Sequence, residues 1–153
     1  MIKVNLLKSY WDAMAARVGA AQTINVRTEG ELAQKIKSIK AGDLFLVAVF
    51  PSADSSARNF DNILETELII VYALKKVSRR DQKDEDIIAD MLETQLCITA
   101  VKNCMLADAT NCDAYMHEYL SRVDFNKIHT DPEYRYLECD GYSISFPISS
   151  TGF

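Results

Sequence analysis

Two uninterrupted apolar runs constrain this chain most. Leu44–Phe50 and Leu68–Leu74 have strand length, carry β-branched and aromatic residues, and show no polar face. A half-wet strand alternates apolar and polar residues, so a run without alternation reads as a strand buried on both faces. The first run ends at Pro51. The second lies inside a longer strand, Ile63–Val77. There Leu68, Ile70, Tyr72 and Leu74 share one face, and Ile69, Val71 and Ala73 share the other, which marks a central strand. Glu65, Glu67, Lys75 and Lys76 at its ends suggest that the ends project beyond the core.

The remaining patterns are helical before these strands and mixed after them. Over residues 2–19, Leu7, Tyr10, Trp11, Met14 and Val18 recur at spacings of three and four, with Gly19 as a stop. Ile24 and Val26, within Gln22–Arg27, allow a short edge strand. Thr28 and Glu31 have capping-box spacing and open a helix to about Lys40, with Leu32, Ile36 and Ile39 as its stripe. A long helix over 84–108 carries Ile87, Met91, Ile98, Val101 and Met105, a stripe that Ile88, Leu92 and Leu106 widen. Asp84, Glu85 and Asp86 suit the positive end of its dipole. A short helix over 113–122 is expected next. The chain then alternates in period two on either side of Asp140-Gly141, a strong short-range hairpin signal. The hairpin is expected over Glu133–Ile148, and Pro147 marks the last strand as an edge. The expected class is α+β: helices packed on one face of a mostly antiparallel sheet, with a C-terminal β-hairpin. A single domain over 1–153 is expected, with an N-terminal helical segment at 1–43 and the sheet plus long helix at 44–153.

Composition and motifs then narrow the function. With 17 Lys plus Arg against 22 Asp plus Glu, the net charge is −5, which excludes a uniformly basic nucleic-acid binder. The cationic group Lys75, Lys76, Arg79, Arg80 and Lys83 has acidic neighbours, so nucleic acid is not expected as a partner. No segment approaches the roughly 20 apolar residues of a membrane span, and no secretory leader is expected, so the location expected is cytoplasmic. Cys97, Cys104, Cys112 and Cys139 lack CxxC spacing, so reduced, buried thiols are expected rather than zinc ligands or disulfides. No GxSxG elbow, GxGxxG or GxxxxGK[ST] loop or EF-hand spacing is present. No catalytic residue, metal or cofactor is therefore expected, and the chain is not expected to be an enzyme.

The segment Pro51–Asp61 reads as a polar loop longer than the common connection of about 4–6 residues. Long loops on a rigid scaffold often carry contacts. Within it Arg58, Asn59, Phe60 and Asp61 combine arginine, aromatic and polar side chains, a mixture that suits a protein interface. The order of elements also bears a likeness. A buried strand ending in Phe50-Pro51-Ser52, a long polar loop, the long strand Ile63–Val77, one long helix, and a late strand opening with Gly141-Tyr142 together resemble the tail-terminator and tail-completion proteins of tailed phages. The likeness runs over residues 44–149; the two N-terminal helices, Ile2–Gly19 and Thr28–Lys40, depart from it. It implies a small α+β assembly protein of a phage or prophage neck or tail. Such a protein forms rings, is cytoplasmic or virion-associated, and has no catalytic residues to carry over. Protein partners, including further copies of the chain, are the expected partners. The alternative is a small-molecule enzyme or ligand-binding domain with a site near Pro51–Asp61.

Overall fold

The computed structural model describes residues 2–57, 63–78 and 82–151. The elements run α1 (Val4–Val18), β1 (Thr23–Val26), α2 (Glu29–Ile36), β2 (Leu44–Val49), β3 (Ala53–Ala57), β4 (Ile63–Lys76), α3 (Asp84–Thr110), α4 (His117–Leu120), a 3-10 turn (Phe125–Lys127), β5 (His129–Tyr136) and β6 (Cys139–Thr151). The sheet is ordered β1-β2-β4-β6-β5, and β3 pairs with β4. Only β1 and β2 are parallel; the other pairs are antiparallel. The α+β class, the mostly antiparallel sheet and the C-terminal hairpin are all present.

β4 is the spine. It pairs with β6 from Leu64↔Thr151 to Lys76↔Cys139, and on its other edge with β2 and then β3. Its odd positions Ile69, Val71 and Ala73 join Leu46 and Ala48 of β2 and Ile144, Phe146 and Ile148 of β6. Leu7, Trp11 and Met14 of α1, Ile98, Val101 and Met105 of α3, and Met116 and Leu120 of α4 cover them. Fully burying each large apolar side chain contributes about 1.5–3 kcal/mol, so this face anchors the fold. The opposite face holds a smaller cluster, in which Leu32 and Ile36 of α2, together with Ile39, cover Ile24, Val26, Phe45, Val47, Leu74 and Cys139.

α2 therefore departs from the expectation that all helices lie on one face. The reason is connectivity. β1 and β2 are parallel neighbours, which no tight turn can join, so the chain must cross over a face and α2 is the crossover. The short edge strand that Ile24 and Val26 allow is β1, set between the two helices of the N-terminal segment. α2 opens as its sequence requires. The Thr28 hydroxyl accepts from the Glu31 amide at 3.2 Å, and the Glu31 carboxylate accepts from the Arg27 amide at 3.0 Å. At its other end Lys76 donates to the Ile36 and Ile39 carbonyls at 2.9 and 2.7 Å, placing a cation where the helix dipole is negative.

Three further expectations are corrected. The polar segment after Pro51 is not a bare loop: Ala53–Ala57 forms β3, continuing the edge that β2 begins along β4. The charges at the ends of β4 do not mark overhanging ends. Glu67 and Glu65 are buried, Glu67 accepts the Ile2 amide at 2.7 Å, and Lys75 pairs with Asp90 at 2.9 Å and with Glu93. Finally, β6 as a whole is not an edge, because β4 and β5 flank it. Proline is tolerated at Pro147 because β5 reaches only Ser145, so past that point β6 has a partner on one side alone.

The hairpin is real, but its turn lies elsewhere. Tyr136 pairs with Cys139, and Leu137 and Glu138 between them have φ of 49° and 66°, the left-handed pair that a two-residue turn needs. Asp140 and Gly141 lie inside β6. The Asp140 carboxylate accepts the Arg135 amide at 2.8 Å and so pins the irregular register of β5. Gly141 is needed because β4 runs too close for a side chain: a Cβ there would lie 2.0 Å from the Ala73 carbonyl oxygen. At a left-handed turn position asparagine substitutes well for glycine; at a close approach it does not. Gly141→Asn should therefore destabilise as much as or more than Gly141→Ala, each by about 1–3 kcal/mol or more. Chemical denaturation that finds Gly141→Asn near wild type would restore the turn at Asp140-Gly141.

α1 is tied to α3 by one polar cluster. Arg17 grips Asp108 with two hydrogen bonds, of 2.6 and 3.0 Å, and the Tyr10 hydroxyl donates to the same carboxylate at 2.7 Å. Burial alone would raise the Asp108 carboxyl, but the bonds from Arg17 and Tyr10 outweigh it and hold the carboxyl below its usual range. A carboxyl depressed by folding stabilises above its unfolded value of about 3.9, and that contribution is lost as pH falls through the folded value. Asp108→Asn should cost about 1–2 kcal/mol at neutral pH. Its deficit against wild type should shrink below about pH 4, as measured by thermal melts across pH.

Candidate functional site

The residues expected to form a contact site, Arg58, Asn59, Phe60 and Asp61, lie outside the described residues, as do Arg79 and Arg80 of the cationic group. Lys75 and Lys76 of that group are spent internally, on α3 carboxylates and on the end of α2. No group of three or more His, Cys, Asp or Glu side chains is placed to hold a metal ion among the described residues. No helix among them is long and apolar enough to cross a membrane.

The four cysteines are free and differ in environment. Cys97 and Cys139 are buried, and burial pushes their thiols up to about 11 and about 12. Cys104 is half-buried, and Cys112 is exposed rather than buried as expected. The thiolate is the reactive form, so access favours Cys112, while burial and their raised thiols hold back Cys97 and Cys139. Labelling the native protein with a thiol reagent near pH 8 should modify Cys112 first, with Cys97 and Cys139 reacting only on unfolding. Fast labelling of Cys97 or Cys139 in the native state would contradict this packing.

What the described residues display instead is apolar surface, in two places. The first is on α3. Its core side carries Thr94, Cys97, Ile98, Val101 and Met105. Its opposite side carries Ile88, Leu92 and Leu96, which are 67%, 53% and 62% exposed, with Leu106 farther along at 49%. Spaced four apart, the first three line up as a ridge. The sequence reading placed Ile88, Leu92 and Leu106 at the margin of the core stripe, and the structure turns them to solvent. The N-terminal half of α3 has no buried side chain before Thr94; Lys75 of β4 ties it to the sheet, and Gln82 and Lys83 bond its first turns. Lys75 bonds Asp90 and Glu93, Gln82 donates to Asp90 at 2.9 Å, and the Asp86 carboxylate accepts the Lys83 amide at 3.1 Å. The ridge therefore faces away from the sheet on which α3 packs.

The second surface is on the far face of the sheet, beside α2. α2 is only eight residues long and covers one end of that face. Leu68 and Leu64, on the even side of β4, stay 47% and 42% exposed. Two open cavities lie along the helix. One, of about 160 Å³, has Leu32, Val49, Ile70, Tyr72 and Tyr136 in its lining. The other, of about 370 Å³, is lined by Ala33, Ile36, Lys37, Lys76, Leu137 and Glu138. The Tyr72 and Tyr136 rings, both in the lining of the first, stack 5.5 Å apart and 9° from parallel. Burial, with the neighbouring Tyr72, pushes the Tyr136 phenol up to about 12, so both rings present neutral, apolar faces at physiological pH.

Compared with models of known protein families and with curated proteins, the chain matches none.

Proposed function

We propose that this chain is an assembly protein: it works by binding further copies of itself rather than by catalysis, as a terminator or neck component of a phage or prophage tail would. The observation that carries the reading is the Ile88, Leu92 and Leu96 ridge, three large aliphatic side chains more than half exposed on a helix tied to β4 through Lys75. Contiguous apolar surface of this kind marks association sites in monomer-sized chains. The likeness in element order over residues 44–149 supports the same reading, since tail terminators act as rings. In this reading the protein is made in the cytoplasm and ends in a particle. Light scattering across a concentration series tests it. The expected mass is a multiple of the 17.2 kDa chain. A monomeric mass at every concentration would remove the reading.

A further inference from the structure

We infer that assembly is head to tail: the α3 ridge of one copy seats in the trough beside α2 of the next. This rests on the self-association reading above and adds the pair of surfaces that meet. Three observations select a second copy of this chain as the occupant of the trough.

The first is position. The ridge and the trough lie on opposite faces of one sheet, because α3 covers the face carrying Ile69 and Val71 while α2 sits on the face carrying Leu74 and Phe45. A contact between copies through the ridge alone leaves the trough bare, whereas a head-to-tail contact covers both kinds of surface at once. The second is shape. The ridge is convex, a single row of side chains on a helix. The trough is hollow: Leu32 and Tyr136 line one cavity, and their chain neighbours Ala33 and Leu137 line the other. The third is charge. The first turn of α3 holds Asp84, Glu85 and Asp86, and Glu93 flanks the ridge; Lys102 lies farther along. At the trough, Lys37 stands at one end beside Glu138, while Arg27 at the other is paired with Glu31 and lies beside Glu29. The acidic end of the ridge therefore has Lys37 as the exposed cation to meet. A contact between unlike surfaces repeats from copy to copy, and it closes into a ring when the rotation permits.

The test is complementation. One variant breaks the ridge, Leu92→Glu; the other breaks the trough, Ala33→Glu with Lys37→Glu. All three positions are exposed or half-exposed, and circular dichroism and melting check that each variant folds. Each variant alone should be monomeric by sedimentation. Mixed in equal amounts, they should form a dimer of twice the chain mass and go no further, because the mixture holds one intact ridge and one intact trough per pair. Should Leu92→Glu fail to fold, Ile88→Ser with Leu92→Ser should weaken assembly at least tenfold and serve as the ridge partner in the mixture. A trough variant that still assembles, or two folded monomeric variants that stay apart on mixing, overturns the head-to-tail contact. Wild type that assembles while neither variant weakens it overturns this contact and leaves self-association standing. Wild type that never assembles overturns both.

Discussion

The ladder between β4 and β6 is the interaction on which the rest of the structure depends. It runs from Leu64↔Thr151 to Lys76↔Cys139 and joins residues far apart in sequence. Loop closure over that separation costs entropy before any contact is gained, so the ladder must be backed by burial on both sides. Ile69, Val71 and Ala73 with Ile144 and Phe146 supply it on one face. Leu74 and Cys139 supply it on the other, at one end only. The closest approach is at Gly141, where any side chain would meet the Ala73 carbonyl. β2 and β3 share the far edge of β4, β5 folds back on β6, and the helices attach where these strands leave apolar side chains uncovered.

That arrangement explains what was legible in the sequence. The continuous run at Leu44–Phe50 became β2, and the run within Ile63–Val77 became β4, because a strand flanked on both edges needs apolar residues wherever a helix covers it. The capping box at Thr28 and the acidic first turn of α3 both mark true helix starts. These signals are local, and local chemistry decides them. β3 was not legible: Ala53-Asp54-Ser55-Ser56-Ala57 has little strand propensity and pairs because β4 continues past the end of β2 and offers an edge. The turn was misplaced for a related reason. Asp-Gly has the chemistry of a turn, yet this glycine is required by the neighbouring strand, and the turn falls on Leu137 and Glu138, which carry no such signal.

The candidate surface was half legible. Periodicity showed that α3 is apolar on more than one side, but not which side meets the sheet. Ile88 and Leu92 lie roughly a quarter-turn from Ile87 and Met91, so a wide stripe and two separate stripes look alike in sequence. Leu96 was absent from the expected stripe altogether. What separates them is the rotation of the helix over the sheet, set where Ile98, Val101 and Met105 enter the core and matched by the Lys75 pairs with Asp90 and Glu93. Those charges suggested strand ends reaching beyond the core, and they act instead to hold α3 with its ridge outward. The trough was not legible at all, because it exists only through the short crossover that makes α2 too small for its face.

The central claim is that both surfaces are used together, one from each copy. Hydrogen exchange at low and high protein concentration measures this directly. As concentration rises, amides in the first half of α3, Asp84–Leu96, should gain protection in step with those lining the trough at Ala33–Lys37 and Tyr136–Glu138. Protection that grows on α3 while the trough stays unchanged would show ridge meeting ridge, and protection that grows at neither would show that these surfaces stay bare; either result contradicts the account.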